Sequence, residues 1–440
     1  MKITGRCVAT ALLVVSGLAP LVSAAADWYV SPTGSDSNIG TRARPFATVM
    51  AAQAAASSGD TVYLRGGTYR LTTASVSVTG NRDAIVNDIT KDGISYLNAT
   101  NERPVFDFSA VRPSDRRVVA FRVGANNCIF RGFHVVGVPI TIAGRLTQSE
   151  AFRVEGGNGN VFERLSIHDG MAIGWYLVAG SNNHVRNVDV YNNKGLDSFS
   201  YGNIDGFGVH PGPGSKGNVI EDSRAWNNSD DGFDLINASE AVTLQHNWAF
   251  RNGLDVDGTP LGDGNGFKAG GYGRNGSVYP QPVPQHRIAF NLSVDNRSNG
   301  FYANHQIGGQ TWISNTAIGN GRANFDMLST LADNRTDVPG YGHTLANNLG
   351  YGAKIEIANL GAVSANTIGH NSFTVPLSAI ARDFLSLDAR QLTRRRQANG
   401  DLPVITFATL APGSALIDAG ADAGEAFKGR APDLGAFESP

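Results

Sequence analysis

The middle of the sequence is a succession of short segments that alternate apolar and polar residues and end in Asn, Asp or Gly. They read CIFRGFHVVG, VFERLSIHDG, HVRNVDVYNN, NVIEDSRAWNN, VTLQHNWAFRN, RIAFNLSVDN, TWISNTAIGNG and HTLANNLGYG. Short strands separated by turn formers, on a period of roughly two dozen residues, are typical of a solenoid whose coils stack as parallel strands. The repeat therefore predicts an all-β fold, a parallel β-helix.

Asparagines mark this repeat. Asn247, Asn291, Asn315 and Asn347 are separated by 44, 24 and 32 residues, which fits a coil of about 24 residues with insertions on some turns. If they occupy one position on successive coils, their side chains form a hydrogen-bonded ladder. Alternatively, they are simply turn formers.

A second repeat runs through the same coils as IDGFGV, DDGFDL, GNGFKA, SNGFYA and RANFDM. Its aromatic residues are expected to point inward and to stack on one another, since equal positions on successive coils are neighbours in a parallel stack. These residues are Phe207, Phe233, Phe267, Phe301 and Phe325.

Composition agrees with this fold and narrows the function. Of 440 residues, 41% are hydrophobic, 17% are charged and 53 are glycine, which is too apolar for disorder and too rich in turn formers for a helical bundle. The formal net charge of −2 offers no basic surface for nucleic acid. Binding of an anionic partner must therefore depend on a local site.

Residues 1–26 have the basic, apolar and small-residue regions of a secretory signal peptide, with cleavage expected after Ala24 or Ala26. Cys7 would leave with this segment, and Cys128 is expected to be a small buried residue. No second long apolar run follows. We therefore expect a secreted protein, extracellular or periplasmic, that is a monomer and has no membrane-spanning segment.

The mature chain, residues 27–440, is expected to form one domain. Residues 28–71 would be an N-terminal cap with a short helix near 47–57, which blocks the exposed edge of the stack. The coils would span about 120–375, and a C-terminal tail of about 380–440 would pack back on them. The arginine run in RQLTRRRQANGDLP is expected to be a solvated loop.

The second repeat also aligns charged residues. The residue before each Gly-Phe pair is Asp205, then Asp231, then Asn265, and the residue after it is Gly208, then Asp234, then Lys268. Stacking would place Asp205 beside Asp231 and Lys268 beside Asp234. Asp231 and Asp234 are three residues apart and fall on opposite faces of a regular strand, so a turn or bulge must bring them together.

If they do meet, these two aspartates and their neighbours Asp205 and Asp230 would gather four carboxylates, and ionising all of them together without a cation is energetically costly. Oxygen ligands in flexible geometry favour Ca²⁺ over Mg²⁺. The alternative is a set of exposed turn formers, with Lys268 as an ordinary surface or ion-pairing lysine.

Asp205, the run Asp230–Asp231–Asp234 and Lys268 in NGFKAGG resemble the corresponding residues of polysaccharide lyase family 9, the pectate lyases. The resemblance implies a right-handed parallel β-helix that cleaves polygalacturonate, an acidic polysaccharide. It also implies that the four aspartates bind Ca²⁺ and that Lys268 removes the C5 proton of a uronate.

Other polar residues are candidates of lower rank. Those that would line a sugar groove, or else are simple surface, are Arg274, Tyr302, Asn304, His305 and His210. The segment GLDVDGTPLGDGNG would be a second ion site or, as we favour, a loop in which Asp263 supports the first site; its acids are Asp255, Asp257 and Asp263.

Three alternative functions are also compatible with parts of the sequence. A β-helix polygalacturonase would hydrolyse the same polymer with acidic residues alone, yet its usual G-H-G and R-I-K segments are missing and it would not need Lys268. An epimerase or another uronan lyase would begin with the same proton removal. A non-catalytic polysaccharide-binding β-helix would have no activity at all.

Overall fold

A computed structural model describes residues 1–2, 25–144, 148–274, 276 and 278–439. The predicted signal peptide and Cys7 lie almost entirely outside these described residues. Cys128 is fully buried, as predicted. Among the described segments, no helix combines the length and apolar character needed to cross a membrane.

Three stacked sheets of short strands form the body of the described chain, and nearly all neighbouring strands run parallel. The first sheet contains Asp27–Val30, Thr61–Leu64, Ser95–Asn98, Ile129–Arg131, Val161–Glu163, His184–Arg186, Asn218–Glu221, Val242–Gln245, Arg287–Ala289, Thr311–Ile313, Thr344–Ala346 and Thr367–Ile368. The second contains Gly67–Thr72, Pro104–Ala110, His134–Val136, Ser166–His168, Asp189–Tyr191, Arg224–Trp226, Trp248–Phe250, Leu292–Val294, Thr316–Ile318 and Leu349–Tyr351.

The third sheet carries the charged positions of the second repeat, and we name it the site sheet. It contains Val78–Thr79, Asp83–Ile89, Arg117–Val123, Ser149–Glu155, Ala172–Ala179, Phe207–Val209, Phe233–Asp234, Phe267–Lys268, Phe301–Tyr302, Ala323–Asp326 and Ile355–Ala358. Its first strand pairs antiparallel with the second, and the others pair parallel. A separate antiparallel pair joins Ser329–Thr330 to Asp337–Val338.

Most coils thus contribute one strand to each sheet, which is the predicted parallel β-helix. Between the sheets lies one core of inward side chains. In it the predicted aromatic stack is confirmed, since successive rings from Phe207 to Phe325 have centroids 4.7, 4.8, 4.9 and 5.1 Å apart. Their planes differ by at most 15°. This stack fixes the register of the site sheet.

The asparagine ladder is also present. Nδ2 of Asn247 donates to Oδ1 of Asn291 at 3.2 Å, and Nδ2 of Asn291 donates to Oδ1 of Asn315 at 3.1 Å. The assignment of Asn347 to this ladder is wrong. The next member is Asn348, which accepts from Asn315 at 3.0 Å, whereas Asn347 bonds to Ala421 of the tail.

The predicted N-terminal helix spans Val49–Ala55. It begins where the side chain of Thr48 accepts a hydrogen bond from the amide of Ala51, and it buries Val49 and Ala52 in the core. Its role as a cap on the end of the stack stays a prediction. The remaining helical segments are short 3₁₀ turns at Thr73–Ser75, Tyr201–Asn203, Val363–Ala365, Ala381–Asp383 and Ala389–Thr393.

The C-terminal tail packs on the outer face of the second sheet, as predicted. Its buried side chains join those of the sheet in a second apolar cluster, whose tail members are Phe384, Leu392, Phe407, Leu410, Leu416 and Leu434. The arginine run is not wholly solvated, because Arg396 is largely buried against Asp189 with Nη2 and Oδ1 2.8 Å apart. Arg224 pairs with the same carboxylate at 2.7 Å.

Candidate metal and catalytic site

Strand register places the lysine beside an aspartate, as the repeat predicts. In the site sheet Gly208 pairs with Asp234, Asp234 with Lys268, and Lys268 with Tyr302. Asp231 lies just before its strand, separated from Phe233 by Gly232, and Phe233 points into the core. The backbone departs from a regular strand at this glycine, so Asp231 and Asp234 both reach Lys268.

Three carboxylates converge at this point. Asp205, Asp231 and Asp234 each offer one oxygen, these oxygens all lie within 4.8 Å of one another, and all three residues are buried. Oδ1 of Asp205 accepts from the amide of Asp231 at 3.2 Å. Oδ1 of Asp231 accepts from the backbone and the side chain of Asn265 at 2.6 and 2.8 Å. Asp205 and Asp231 are therefore held by the same kind of between-coil hydrogen bond as the asparagine ladder.

Lys268 supplies the counter-charge of the trio. Its Nζ lies 3.0 Å from Oδ2 of Asp234 and 3.1 Å from Oδ2 of Asp231. The contact with Asp234 is a hydrogen bond, whereas Oδ2 of Asp231 is buried and has no hydrogen bond within the described part of the chain. Burial lowers the pKa of Lys268, but the carboxylates outweigh it and hold that pKa well above the ordinary value. In this arrangement the amine is protonated.

The carboxylates carry more negative charge than one ammonium balances. Burial, and then the neighbouring carboxylates, raise the pKa values of Asp205 and Asp230 well above the ordinary value. Burial also raises the pKa of Asp231, although Lys268 opposes the change. A cluster of buried oxygens with surplus negative charge, one of them without a hydrogen bond, fits a hard divalent cation such as Ca²⁺.

Asp230 stands apart from the trio. Its Oδ1 accepts from the amide of Asp263 at 2.9 Å, so the loop containing Asp263 does support the site, as the sequence suggests. The second ion site does not form within the described residues: Asp255 pairs with Lys194 at 2.5 Å, and Asp257 accepts from the amide of Thr259.

The candidate groove residues divide into three kinds. Tyr302 follows Lys268 in register, and burial raises its pKa to about 12. Arg274 and His305 both pair with Asp337, at 3.4 and 2.6 Å. Asn304 is buried and donates to the carbonyl of Gly270 at 2.7 Å.

His210 lies on the other side of Lys268 and is largely buried. Its Nε2 has no hydrogen-bond partner among the described residues, and its ring meets Tyr176 edge-on with the centroids 5.3 Å apart. Burial lowers its pKa. Tyr176 pairs in register with Gly208, where a Cβ atom would lie 2.8 Å from the tyrosine ring. A glycine at 208 thus makes room for Tyr176 beside the trio.

Sequence reasoning missed three charged residues near Lys268. Asp326 follows Phe325 as Lys268 follows Phe267, so the repeat itself carries a signal for it. Arg297 and Arg322 line a cavity that also includes Tyr302 and Asn265. They lie four and three residues before their phenylalanines, and no common spacing marks them.

Comparisons with known proteins identify relatives that share this fold. The family described as Pel9A-like, right handed beta helix region, matches residues 28–348. Pectate lyase L of Dickeya dadantii (strain 3937) is 36% identical over 93% of this chain and 90% of its own. A solved rhamnogalacturonan lyase is 43% identical, with a TM-score of 0.84 over 88% of this chain and 96% of its own. The solved pectate lyase Pel9A is 32% identical, with a TM-score of 0.74 over 95% and 97%.

Proposed function

The chain belongs to polysaccharide lyase family 9, the Pel9A-like right-handed β-helix family, and from this premise we propose that it cleaves a 4-linked galacturonan by β-elimination. Lys268 is the base and Ca²⁺ is the cofactor. One observation carries the proposal: the Nζ of Lys268 lies within 3.1 Å of two carboxylates that belong to a buried trio.

The carboxylates of Asp205, Asp231 and Asp234 would hold the ion, and Asp230 would complete the set. When bound, Ca²⁺ would neutralise these carboxylates, and so release Lys268 from its ion pairs, and would offset the charge of a substrate carboxylate. Asn265 and the amide of Ile236 hold the oxygens of Asp231 and Asp234 that face away from Lys268. Both carboxylates therefore keep one oxygen directed at the site.

Lys268 would then do the proton chemistry. A neutral Nζ takes the proton from C5, which is α to the uronate carboxylate. The electron pair of the C5–H bond forms the C4=C5 double bond as the C4–O bond breaks, and the departing oxygen takes a proton from solvent. The side chain of Lys268 is only 12% exposed, so few waters compete with the substrate for its amine.

Two galacturonate polymers are candidate substrates. Polygalacturonate is favoured by the pectate lyases among the relatives. A rhamnogalacturonan is the second candidate, because the solved rhamnogalacturonan lyase is 43% identical to this chain. Both reactions would need the same proton removal from a galacturonate linked through O4, so Lys268 and the trio serve either polymer.

Ultraviolet absorbance of the new double bond tests the proposal. Purified protein is incubated with polygalacturonate and, separately, with rhamnogalacturonan, with Ca²⁺ or with EDTA. We expect absorbance to rise with at least one polymer, to stop with EDTA and to return with added Ca²⁺. New reducing ends without absorbance would indicate hydrolysis instead, and no change with either polymer would overturn the proposed substrate class.

The proposed reaction acts on an external polymer, so we also propose that residues 1–26 direct export. The first residue of the secreted protein, read by N-terminal sequencing, should be Ala25 or Asp27. A mature protein that starts at Met1 would contradict the assignment of this segment.

A further inference from the structure

We propose that the cavity between Arg297 and Arg322 binds a second uronate carboxylate of the same polymer, on a sugar other than the one at Lys268. We name this cavity the arginine pocket. It is lined by Asp263, Asn265, Arg297, Asn299, Tyr302 and Arg322 and has a volume of about 390 Å³. The polymer's identity rests on the proposed function, whereas the pocket's preference for a carboxylate rests on its own residues.

The pocket opens directly beside the candidate site. Asn265 lines it and also donates to Asp231, and Tyr302 lines it as the strand partner of Lys268. A polymer that places one sugar at Lys268 and runs along the stack toward the C-terminal end therefore passes the pocket. Neighbouring strands of a sheet lie about 4.8 Å apart, so the coil of Arg322, two beyond Lys268, is about 10 Å away.

Arg322 is held by an ion pair through one nitrogen, while much of its side chain is exposed to solvent. Its Nη1 lies 3.2 Å from Oδ2 of Asp326, which is fully buried and accepts at Oδ1 from Asn359 at 2.7 Å. The arginine side chain is nonetheless 53% exposed. A guanidinium has five N–H donors in a planar fork that matches a carboxylate, so several donors remain available to a ligand.

Arg297 adds a charge that the described residues do not balance. Its Nη1 donates to the carbonyls of Leu261 and Gly262, and it forms no ion pair within the part of the chain that the structure describes. These carbonyls hold the guanidinium at the loop that leads to Asp263. Of the side chains that line the pocket, two are guanidinium groups and one, Asp263, is a carboxylate, so the lining is net positive.

The position of this positive charge, beside the acidic site, indicates which ligand the pocket binds. The pocket adjoins an acidic site that would repel an anionic polymer unless a cation neutralised it, and arginine is the side chain best suited to bind a carboxylate through two hydrogen bonds. The carboxylate can come from the adjacent galacturonate in polygalacturonate. In an alternating polymer it comes from the next galacturonate, beyond a neutral sugar. Both sources present the same group to Arg297 and Arg322.

Calorimetric binding and kinetics test the pocket together. Arg297→Gln and Arg322→Gln are compared with Arg297→Lys, which keeps the charge, and with Arg395→Gln, an exposed arginine of the tail. Binding of trigalacturonate is measured in the Lys268→Ala background with Ca²⁺, using the free acid and its methyl ester. We expect each glutamine variant to weaken binding of the free acid by roughly tenfold or more. Binding of the ester should not change, and Arg297→Lys should retain part of the affinity.

Steady-state rates then show which galacturonate of the polymer places its carboxylate in the arginine pocket. In the otherwise unaltered enzyme, the glutamine variants should raise KM more than they lower kcat. If KM rises with polygalacturonate alone, the carboxylate in the pocket belongs to the adjacent galacturonate. If KM rises with rhamnogalacturonan, it belongs to the next galacturonate along the polymer. Equal losses for acid and ester, unchanged binding of the acid, or no binding of trigalacturonate by the parent protein would each overturn the pocket.

The two proposals fail separately. Arginine-dependent binding without any ultraviolet product would retain the pocket and reject the lyase reaction on these polymers. An ultraviolet product formed equally by the parent enzyme and both glutamine variants would retain the lyase reaction and reject the pocket.

Discussion

The Nζ of Lys268 lies 3.0 Å from Oδ2 of Asp234, and the two residues are partners in adjacent parallel strands. One coil therefore supplies an acid, and the next supplies a base at the same position. Because Asp231 also lies 3.1 Å from this amine, the lysine and the proposed ion share their ligands. In the proposed mechanism, occupation of the trio by a cation and release of Lys268 as a base would then be linked events.

Neutralising one member of the trio should weaken Ca²⁺ binding. For Asp231→Asn we expect affinity to fall by at least about 10-fold, since changes even beyond the direct ligands of a metal typically cost 10- to 100-fold. Isothermal titration with Ca²⁺ measures this. Asp257→Asn, in the exposed loop, is the matched control and should bind as the unaltered protein does. Equal affinities for the two variants would place the ion elsewhere.

The raised pKa of Asp205 predicts a pH-dependent stability difference. The folded protein keeps this proton to a higher pH than the unfolded chain, whose ordinary value is 3.8, so the contribution of Asp205 to stability falls as pH rises above that value. Asp205→Asn removes this loss. In EDTA, the free energy of unfolding of the variant, relative to the unaltered protein, should therefore increase from about pH 4 upward. Urea unfolding at several pH values measures it, and a constant difference would contradict the predicted direction.

The sequence was sufficient to predict the strand register of the site, but it was not sufficient to predict the residues that surround the site. The Gly-Phe repeat placed Lys268 beside Asp234 because parallel stacking keeps equal positions together. The error at Asn347 has a local cause: each ladder asparagine follows a residue with positive φ. His246, Phe290 and Ser314 take this role at φ values of 56°, 57° and 49°, and Asn347 takes it at 59°.

The repeat could not predict the arginine pocket or the packing of Arg396 against Asp189. Arg297 and Arg322 come from turns of different length, so no repeat aligns them. Arg396 meets Asp189 across 207 residues, and only the docking of the tail on the second sheet brings them together. Repeats determine neighbours within the stack, whereas turns and tails depend on tertiary packing.

Removing the carboxylate of Asp189 should destabilise the protein strongly. Asp189 pairs with Arg224 and Arg396, and its pKa is lowered because these two guanidinium groups outweigh its burial. Asp189→Ala leaves both charges poorly compensated, and we expect a cost of about 3–5 kcal/mol in the free energy of unfolding. Asp388→Ala, which removes an exposed pair with Arg390, should cost far less, because solvent screens an exposed ion pair. Similar costs for the two variants in urea unfolding would refute the tail anchor.

The hydrogen bonds of the asparagine ladder should contribute more to the stability of the protein than the turns in which the asparagines lie. Asn291 accepts from Asn247 and donates to Asn315 and to the carbonyl of Leu244, all in the buried core. Asn291→Ala leaves buried groups unsatisfied, and we expect a cost of about 1–3 kcal/mol. The exposed Asn399→Ala is the control and should cost little. Thermal unfolding of both variants tests this, and equal melting temperatures would favour the turn-former interpretation.

The role of Lys268 as the base is tested most directly by comparing Lys268→Ala with the unaltered enzyme under Ca²⁺ saturation, using the ultraviolet rate on the polymer that the enzyme prefers. We expect kcat to fall by about 10²- to 10⁴-fold, the usual contribution of a general base. Ca²⁺ affinity in the variant should be retained or increased, since the competing ammonium is gone. A variant that keeps its kcat while still binding Ca²⁺ would show that another residue removes the proton.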